Sequence, residues 1–226
     1  MKNPYRWDNL TSPQIKKLSE EGAIVLVPVG STEQHGPHLP VGTDALMATS
    51  MSEKLAAALG EKGVPCVVAP TIAVANSTHH MSFAGSLTLR PETYLALLRD
   101  YCHSIASHGF RKILLVNGHG GNIAPTNTAL ISINEELGFP VYFTGYWQAS
   151  AQAEQEILET QKGMIHACEE ETSLVLALDD SLVDPIYKET KGNPGHGSPM
   201  LDAGVWETFH RMEAHTENGV MGNSYA

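Results

Sequence analysis

Residues 31–44 read STEQHGPHLPVGTD and gather carboxylates and imidazoles between prolines and glycines. In an extended segment side chains alternate, so Glu33 and His35 point to the same side and can reach one centre. Asp44 is expected at the N-cap of the next helix, returning to that centre. Carboxylate and imidazole donors together suit zinc, manganese or iron, and a carboxylate can bridge two ions. The bland alternative is a solvated loop whose aspartate only caps a helix. Against it, prolines stiffen a segment that solvent alone would leave loose.

Three further stretches carry similar residue types. In VNGHGGN (116–122) glycines flank His119 and permit close approach of a ligand or another backbone. A dinucleotide fingerprint would need a small residue where Ile123 stands, and no Lys-Ser/Thr pair completes a phosphate loop. In HACEEETS (166–173) two arrangements are open. A helix through the whole stretch pairs His166 with Glu170 at i, i+4. A helix starting later leaves His166 in the loop and puts Glu171 in its first or second turn. Glu169 and Glu170 are expected on a solvated face, favourable near a helix N-terminus. In NSTHHMSFAGS (76–86), Ser77, His79 and His80 are candidates for orienting substrate or supporting ligands, with structural histidines the competing reading. Cys168 stands among three glutamates, which raise a thiol pKa, so it is not a nucleophile. No G-x-S-x-G elbow is present.

These stretches follow strand-like runs. AIVLVPVG (23–30), PCVVAPTIAV (65–74), KILLVNGHGGN (112–122, a strand running into glycines) and FPVYFTGY (139–146) are β-branched, nearly continuous apolar runs, the pattern of strands buried on both faces. Helices are expected over 11–22, 45–60, 91–109, 123–137, 151–160 and 166–178, several marked by proline at the start or glycine at the end. Alternating strands and helices specify a parallel sheet with helices on its faces, a three-layer α/β/α sandwich. Ligands bind such sheets beyond the carboxyl ends of the strands. All four polar stretches are expected at that edge. From about residue 181 the pattern turns irregular, through NPGHGSP (193–199), and residues 1–226 are read as a single domain.

The whole chain bounds the partners. Its 226 residues suffice for a substantial core, with 42% hydrophobic and 17% charged residues. A formal net charge of −11 argues against nucleic acid. No apolar run has membrane-spanning length, and the start lacks a signal-peptide core. Cys66, Cys102 and Cys168 are an odd number without a CxxC, which fits a reducing compartment. The expected setting is cytoplasmic, with a small-molecule substrate.

With STEQHGPHLPVGTD, NSTHHMSFAGS, VNGHGGN and HACEEETS in this order, the chain resembles the creatininase (creatinine amidohydrolase) family from about residue 22 to 178, with an echo in GVMGN at 219–223. The resemblance implies an α/β sandwich, a homohexamer and two divalent metal ions per subunit, zinc or manganese, with iron also compatible. It implies that Glu33 and His119 bind one ion, His35 the other, and Asp44 bridges them. His166 matches the catalytic histidine and Ser77 a substrate-contacting serine. One departure matters: creatininases proper follow the Gly-His with Tyr-Glu, whose glutamate completes the second ion. Here Gly120 and Gly121 stand instead, so Glu171 is the candidate replacement and creatinine itself is doubtful. Relatives are expected to continue beyond GVMGN. The implied reaction is attack of a dinuclear-metal-activated hydroxide on a carbonyl, with the backbone of Gly120 and Gly121 stabilising the oxyanion and His166 protonating the leaving group. His79 is expected beside the substrate. The outcome is opening of a cyclic amide. Cleavage of a formamide, or of a C–C bond in a cyclic polyol diketone, is the alternative; a non-catalytic metal- or nucleotide-binding protein is the competitor from another class.

Overall fold

The computed structural model describes residues 3–161, 163–193 and 211–225. The chain groups into two compact units. The first holds Met1–Ser31, Asp44–Asn76 and Leu89–Tyr146; the second holds Thr32–Thr43, Ser77–Thr88 and Trp147–Ala226.

The first unit is the sheet with its helices. In chain order it runs α1 (Ser12–Glu20), β1 (Ile24–Val29), α2 (Thr43–Glu61), β2 (Cys66–Val68), α3 (Pro91–Ser107), β3 (Lys112–Asn117), α4 (Ile123–Leu137) and β4 (Val141–Gly145). A capping box between Thr11 and Gln14, with proline in the first turn, starts α1, and Pro91 opens α3. The strands pair in the order β2-β1-β3-β4, all parallel, with Ile24 opposite both Cys66 and Lys112.

Strand alternation sorts the core onto the two faces. Val25, Val27 and Val29 of β1, with Ile113 and Leu115 of β3, join Ile15 of α1, Tyr94 and Leu98 of α3, and Ala129 and Ile133 of α4. Leu26 and Leu114 face the other way and meet Ala56 and Leu59 of α2 with Cys66 and Val68 of β2. The result is the expected three layers. Because β1 has β2 on one side and β3 on the other, the strand order reverses there. The carboxyl ends of β1 and β3 therefore flank the crevice where such sheets bind ligands.

Some boundaries differ from those the sequence predicts. The run 65–74 forms a strand only over Cys66–Val68, because Pro70 lacks the N–H that a ladder needs; beyond it Ile72 makes one isolated bridge to Val29. Asp44 is not an N-cap but the second residue of α2, inside its first turn. The helix placed at 151–160 is α5 (Tyr146–Ile157), whose first residue belongs to the first unit.

The second unit is largely irregular. Loop 32–43 folds on itself through Glu33 N to Val41 O (2.9 Å), and Thr32 pairs with Leu87. A 3₁₀ turn covers Thr78–His80, α6 spans Glu169–Leu178, and further 3₁₀ turns cover Asp180–Leu182, Pro185–Lys188 and Met212–Ala214. The helix expected over 166–178 thus begins at Glu169, and His166 lies before it. Most of NPGHGSP, with His196, falls outside the described residues. No helix among the described residues is long and apolar enough to cross a membrane.

Candidate metal centre

In the first unit, Asp44 and His119 are brought together by the close docking of α2 on the ends of β1 and β3. A Cβ on Gly118 would lie 2.4 Å from the Asp44 carbonyl oxygen, and one on Gly30 2.5 Å from the Ala45 backbone. Only glycine permits that approach. Three asparagines shape the turn after β3: Asn117 Nδ2 donates to His119 O (2.6 Å), Asn122 Nδ2 to Gly30 O (3.0 Å), and Asn76 Nδ2 to Gly121 O (3.1 Å). His119 Nε2 lies 2.9 Å from the Asn76 carbonyl oxygen. A carbonyl only accepts, so this nitrogen carries the hydrogen, and the neutral ring has its lone pair on Nδ1. Nδ1 faces Asp44 Oδ2 at 3.2 Å, with both residues buried. Two electron-rich atoms in that relation are stabilised by a cation between them, and the donor types fit a divalent metal ion.

The second unit holds a larger buried cluster. Glu33, His35, His80, His166 and Glu171 are each no more than 9% exposed. Glu33, His80 and His166 each offer a donor atom within 4.8 Å of the others, and so do His35, His166 and Glu171. Ser77 Oγ donates to Glu33 Oε2 (2.6 Å), and Glu33 Oε1 lies 3.3 Å from His80 Nε2 and 3.8 Å from His166 Nδ1. His35 Nδ1 donates to the Glu33 carbonyl (3.0 Å), so the lone pair of the neutral ring is on Nε2, 3.7 Å from Glu171 Oε1. The backbone N–H of Ala167 donates to Glu171 Oε2 and fixes that carboxylate. Ala167, between His166 and the helix, has a φ of 50°, an uncommon backbone for a residue with a Cβ.

The two arrangements open for HACEEETS are now separated. His166 precedes α6, Glu171 sits in its first turn, and both stand beside His35. Glu169 and Glu170 do not form the expected solvated face; both are 4% exposed. Glu169 accepts from the backbone N–H of Glu159 and Thr160 (2.8 Å each), which replaces its water. Burial, then the charges of Glu154 and Glu171, push Glu170 up to about 8. Burial, reinforced by Glu171, raises the Cys168 thiol to about 11, consistent with its rejection as a nucleophile.

The other sequence-derived residues fall as follows. Ser77 and His80, three apart on the 3₁₀ turn, project together at Glu33. His79 is half-buried, its ring 4.3 Å from that of His80, and lines a pocket of about 290 Å³ with Thr78, Met81, Ser82 and Arg211. Gly120 and Gly121 form the turn leading into α4 and bring no side-chain donor; Gly120 is exposed. His80 was the residue that spacing understated, since only the tight turn sets it level with Ser77. His38 Nε2 meets Thr172 Oγ1 at 2.9 Å and ties loop 32–43 to α6.

Residues 8–226 match the model of the family described as creatininase, creatinine amidohydrolase. The chain belongs to the creatininase family. A mycofactocin precursor peptide peptidase of Mycobacterium ulcerans is 34% identical over 70% of this chain and 60% of its own length. A 3-dehydro-scyllo-inosose hydrolase of Thermotoga maritima is 33% identical over 50% and 35% of the two chains. A creatinine amidohydrolase of Pseudomonas putida is 29% identical over 74% and 69%. The chain therefore spans less than two thirds of the first two relatives. Among solved structures, a putative creatinine amidohydrolase from Bacteroides fragilis superposes with a TM-score of 0.83 at 24% identity, over 99% of this chain and 87% of that one. A structure described as creatininase Mn gives 0.81 at 23% identity, over 97% and 88%. The creatininase fold is thus shared across these proteins.

Proposed function

We propose that this creatininase-family chain is a metal-dependent hydrolase that cleaves the C–N bond of an amide. The observation that carries the proposal is the pairing of Asp44 Oδ2 with the lone-pair nitrogen of His119 at 3.2 Å. In this reading Glu33, His35, Asp44, His119 and Glu171 bind two divalent ions, zinc or manganese, with iron also compatible. Glu171 takes the place of the glutamate that Gly121 lacks; its position 3.7 Å from His35 Nε2 supports this. A divalent ion bound there supplies a Lewis acid that lowers the pKa of water and polarises a carbonyl.

The chain's own residues do the rest. His166, at the mouth of α6 with its Nδ1 toward Glu33, takes the proton that the attacking water gives up and hands it to the departing nitrogen. The N–H groups of Gly120 and Gly121, at the start of α4, stabilise developing negative charge on the carbonyl oxygen. Ser77 gives its hydrogen to Glu33, fixing that carboxylate, and retains lone pairs with which to accept from substrate. His79 borders the substrate. The names of the Mycobacterium and Pseudomonas relatives support an amide or peptide bond; that of the Thermotoga relative supports a cyclic polyol derivative as the substrate of a second reading, C–C hydrolysis. A homohexamer in the cytoplasm completes the proposal, the latter supported by three free, buried cysteines.

The test is metal analysis of the purified chain together with assays on cyclic amides, short peptides, formamides and cyclic diketones, before and after chelation. Metal near two ions per chain and amide hydrolysis that chelation abolishes and added metal restores are expected. Undiminished hydrolysis by metal-free protein would overturn the scheme.

A further inference from the structure

One residue inside the opening motif has no assigned role and yet touches both histidines that face Glu33. Gln34 is 5% exposed, and its amide is held on every side. Gly36 N–H donates to Gln34 Oε1 (2.9 Å), which identifies that atom as the oxygen and the other as the nitrogen. A Cβ on Gly219 would lie 1.8 Å from Oε1, so the GVMGN stretch can close over the amide only with glycine there, at a φ of +79°. The backbone N–H of Gln34 is taken by Ser86 Oγ (3.1 Å).

The amide nitrogen has two hydrogens and three neighbours: Gly219 O at 3.1 Å, His80 Nδ1 at 2.9 Å and His166 Nε2 at 2.9 Å. Gly219 O, a carbonyl, accepts one hydrogen. His166 Nε2 also lies 2.9 Å from the backbone carbonyl of Gln34, which only accepts, so that ring nitrogen is itself a donor. The second amide hydrogen therefore goes to His80 Nδ1. With Nδ1 accepting, the neutral His80 ring has its hydrogen on Nε2, the atom 3.3 Å from Glu33 Oε1. His166, with its hydrogen on Nε2, keeps its lone pair on Nδ1, on the Glu33 side.

We propose that Gln34 is a positioning residue that sets the tautomers of His80 and His166, its side chain directing His80 to turn its Nε2–H toward Glu33 and its backbone carbonyl directing His166 to keep Nδ1 as a base. Its importance to turnover rests on the reading of His166 as the proton carrier. Glu33 thereby accepts from Ser77 at Oε2 and has the Nε2–H of His80 turned toward Oε1 at 3.3 Å, while His166 Nδ1 is kept ready for a proton.

The experiment uses the full chain, ¹⁵N-labelled at histidine and loaded with zinc, which is diamagnetic. Two-bond ¹H–¹⁵N spectra, assigned with His80→Gln and His166→Gln, distinguish protonated from unprotonated ring nitrogens. Both rings are expected to have a protonated Nε2 and an unprotonated Nδ1. In Gln34→Glu the side chain accepts where the amide donated, so the His80 hydrogen moves to Nδ1, and turnover falls about 10- to 100-fold with metal content retained. A wild-type His80 protonated at Nδ1 would overturn the proposal, and that result needs no variant to fold. So would a Gln34→Glu spectrum in which His80 is unchanged. If the wild-type protein hydrolyses nothing, the function proposed above fails, while the spectrum still decides what Gln34 does.

Discussion

Asp44 and His119 have the least freedom of the candidate ligands. Asn76 fixes which nitrogen of His119 carries the hydrogen, and Asn117 and Asn122 fix the turn that holds it. Removing either side chain takes one of the two facing ligand atoms away, so Asp44→Ala and His119→Ala are expected to lose bound metal, measured by elemental analysis of the purified variants. His166→Ala should behave differently. It keeps its metal content and loses about 10²–10⁴-fold in kcat, the usual range for a general acid. Loss of metal from His166→Ala would instead make that histidine a ligand.

Elements matter through how closely they dock. The first turn of α2 lies so near the end of β3 that a methyl group on Gly118 meets the Asp44 backbone. Gly118→Ala therefore either separates the two or strains both. The expected cost is about 1–3 kcal/mol of stability, as for other overpacked sites, together with weakened metal binding. Urea titration with metal analysis checks both; an unchanged midpoint and metal content would show that α2 docks less tightly than described. On α6, Thr172 receives His38 from loop 32–43. Thr172→Val leaves the buried His38 Nε2 without that partner, at an expected cost of about 1–3 kcal/mol by the same titration. Burial, with further lowering by the neighbouring His35, takes His38 down to about 4, so this ring is neutral near pH 7 and acts as a neutral hydrogen-bonding strut.

Across the whole molecule, burial decides the chemistry of groups that look reactive in isolation. Cys66, Cys102 and Cys168 are all buried; burial pushes Cys102 up to about 12 and Cys168 to about 11. The thiolate is the reactive form. Burial also raises Cys66, so at pH 8 the native chain is expected to resist iodoacetamide at all three buried thiols and to react at all three once denatured, as mass spectrometry would show. Metal should also report on the fold as a whole. An ion that binds only the folded state adds about 2.7 kcal/mol at a free concentration 100 times its Kd, so chelation should lower Tm and added metal restore it. A Tm indifferent to chelation would mean that these carboxylates and imidazoles hold no ion.

The strands of continuous apolar residues, the helix signals and the parallel layering were legible because local periodicity follows from which faces are buried. Glu33, His35, Asp44, His119 and His166 were legible as candidates because polar stretches holding acids and histidines recur beyond the strands. Tertiary structure decided what the sequence left open. It ended β2 at Val68, before Pro70 deprives the ladder of a donor, and started α6 at Glu169, which put Glu171 rather than Glu170 beside His35. It buried Glu169 and Glu170, whose spacing alone resembles a solvated helix start. It also set His80, a candidate in NSTHHMSFAGS, and Gln34, which the sequence does not single out, beside Glu33 and His166. A sequence specifies which atoms can donate and accept. Only the fold brings a serine, a glutamine and a glycine from distant segments to the same buried carboxylate and imidazoles, and hydrogen-bond roles are fixed once those partners are in place.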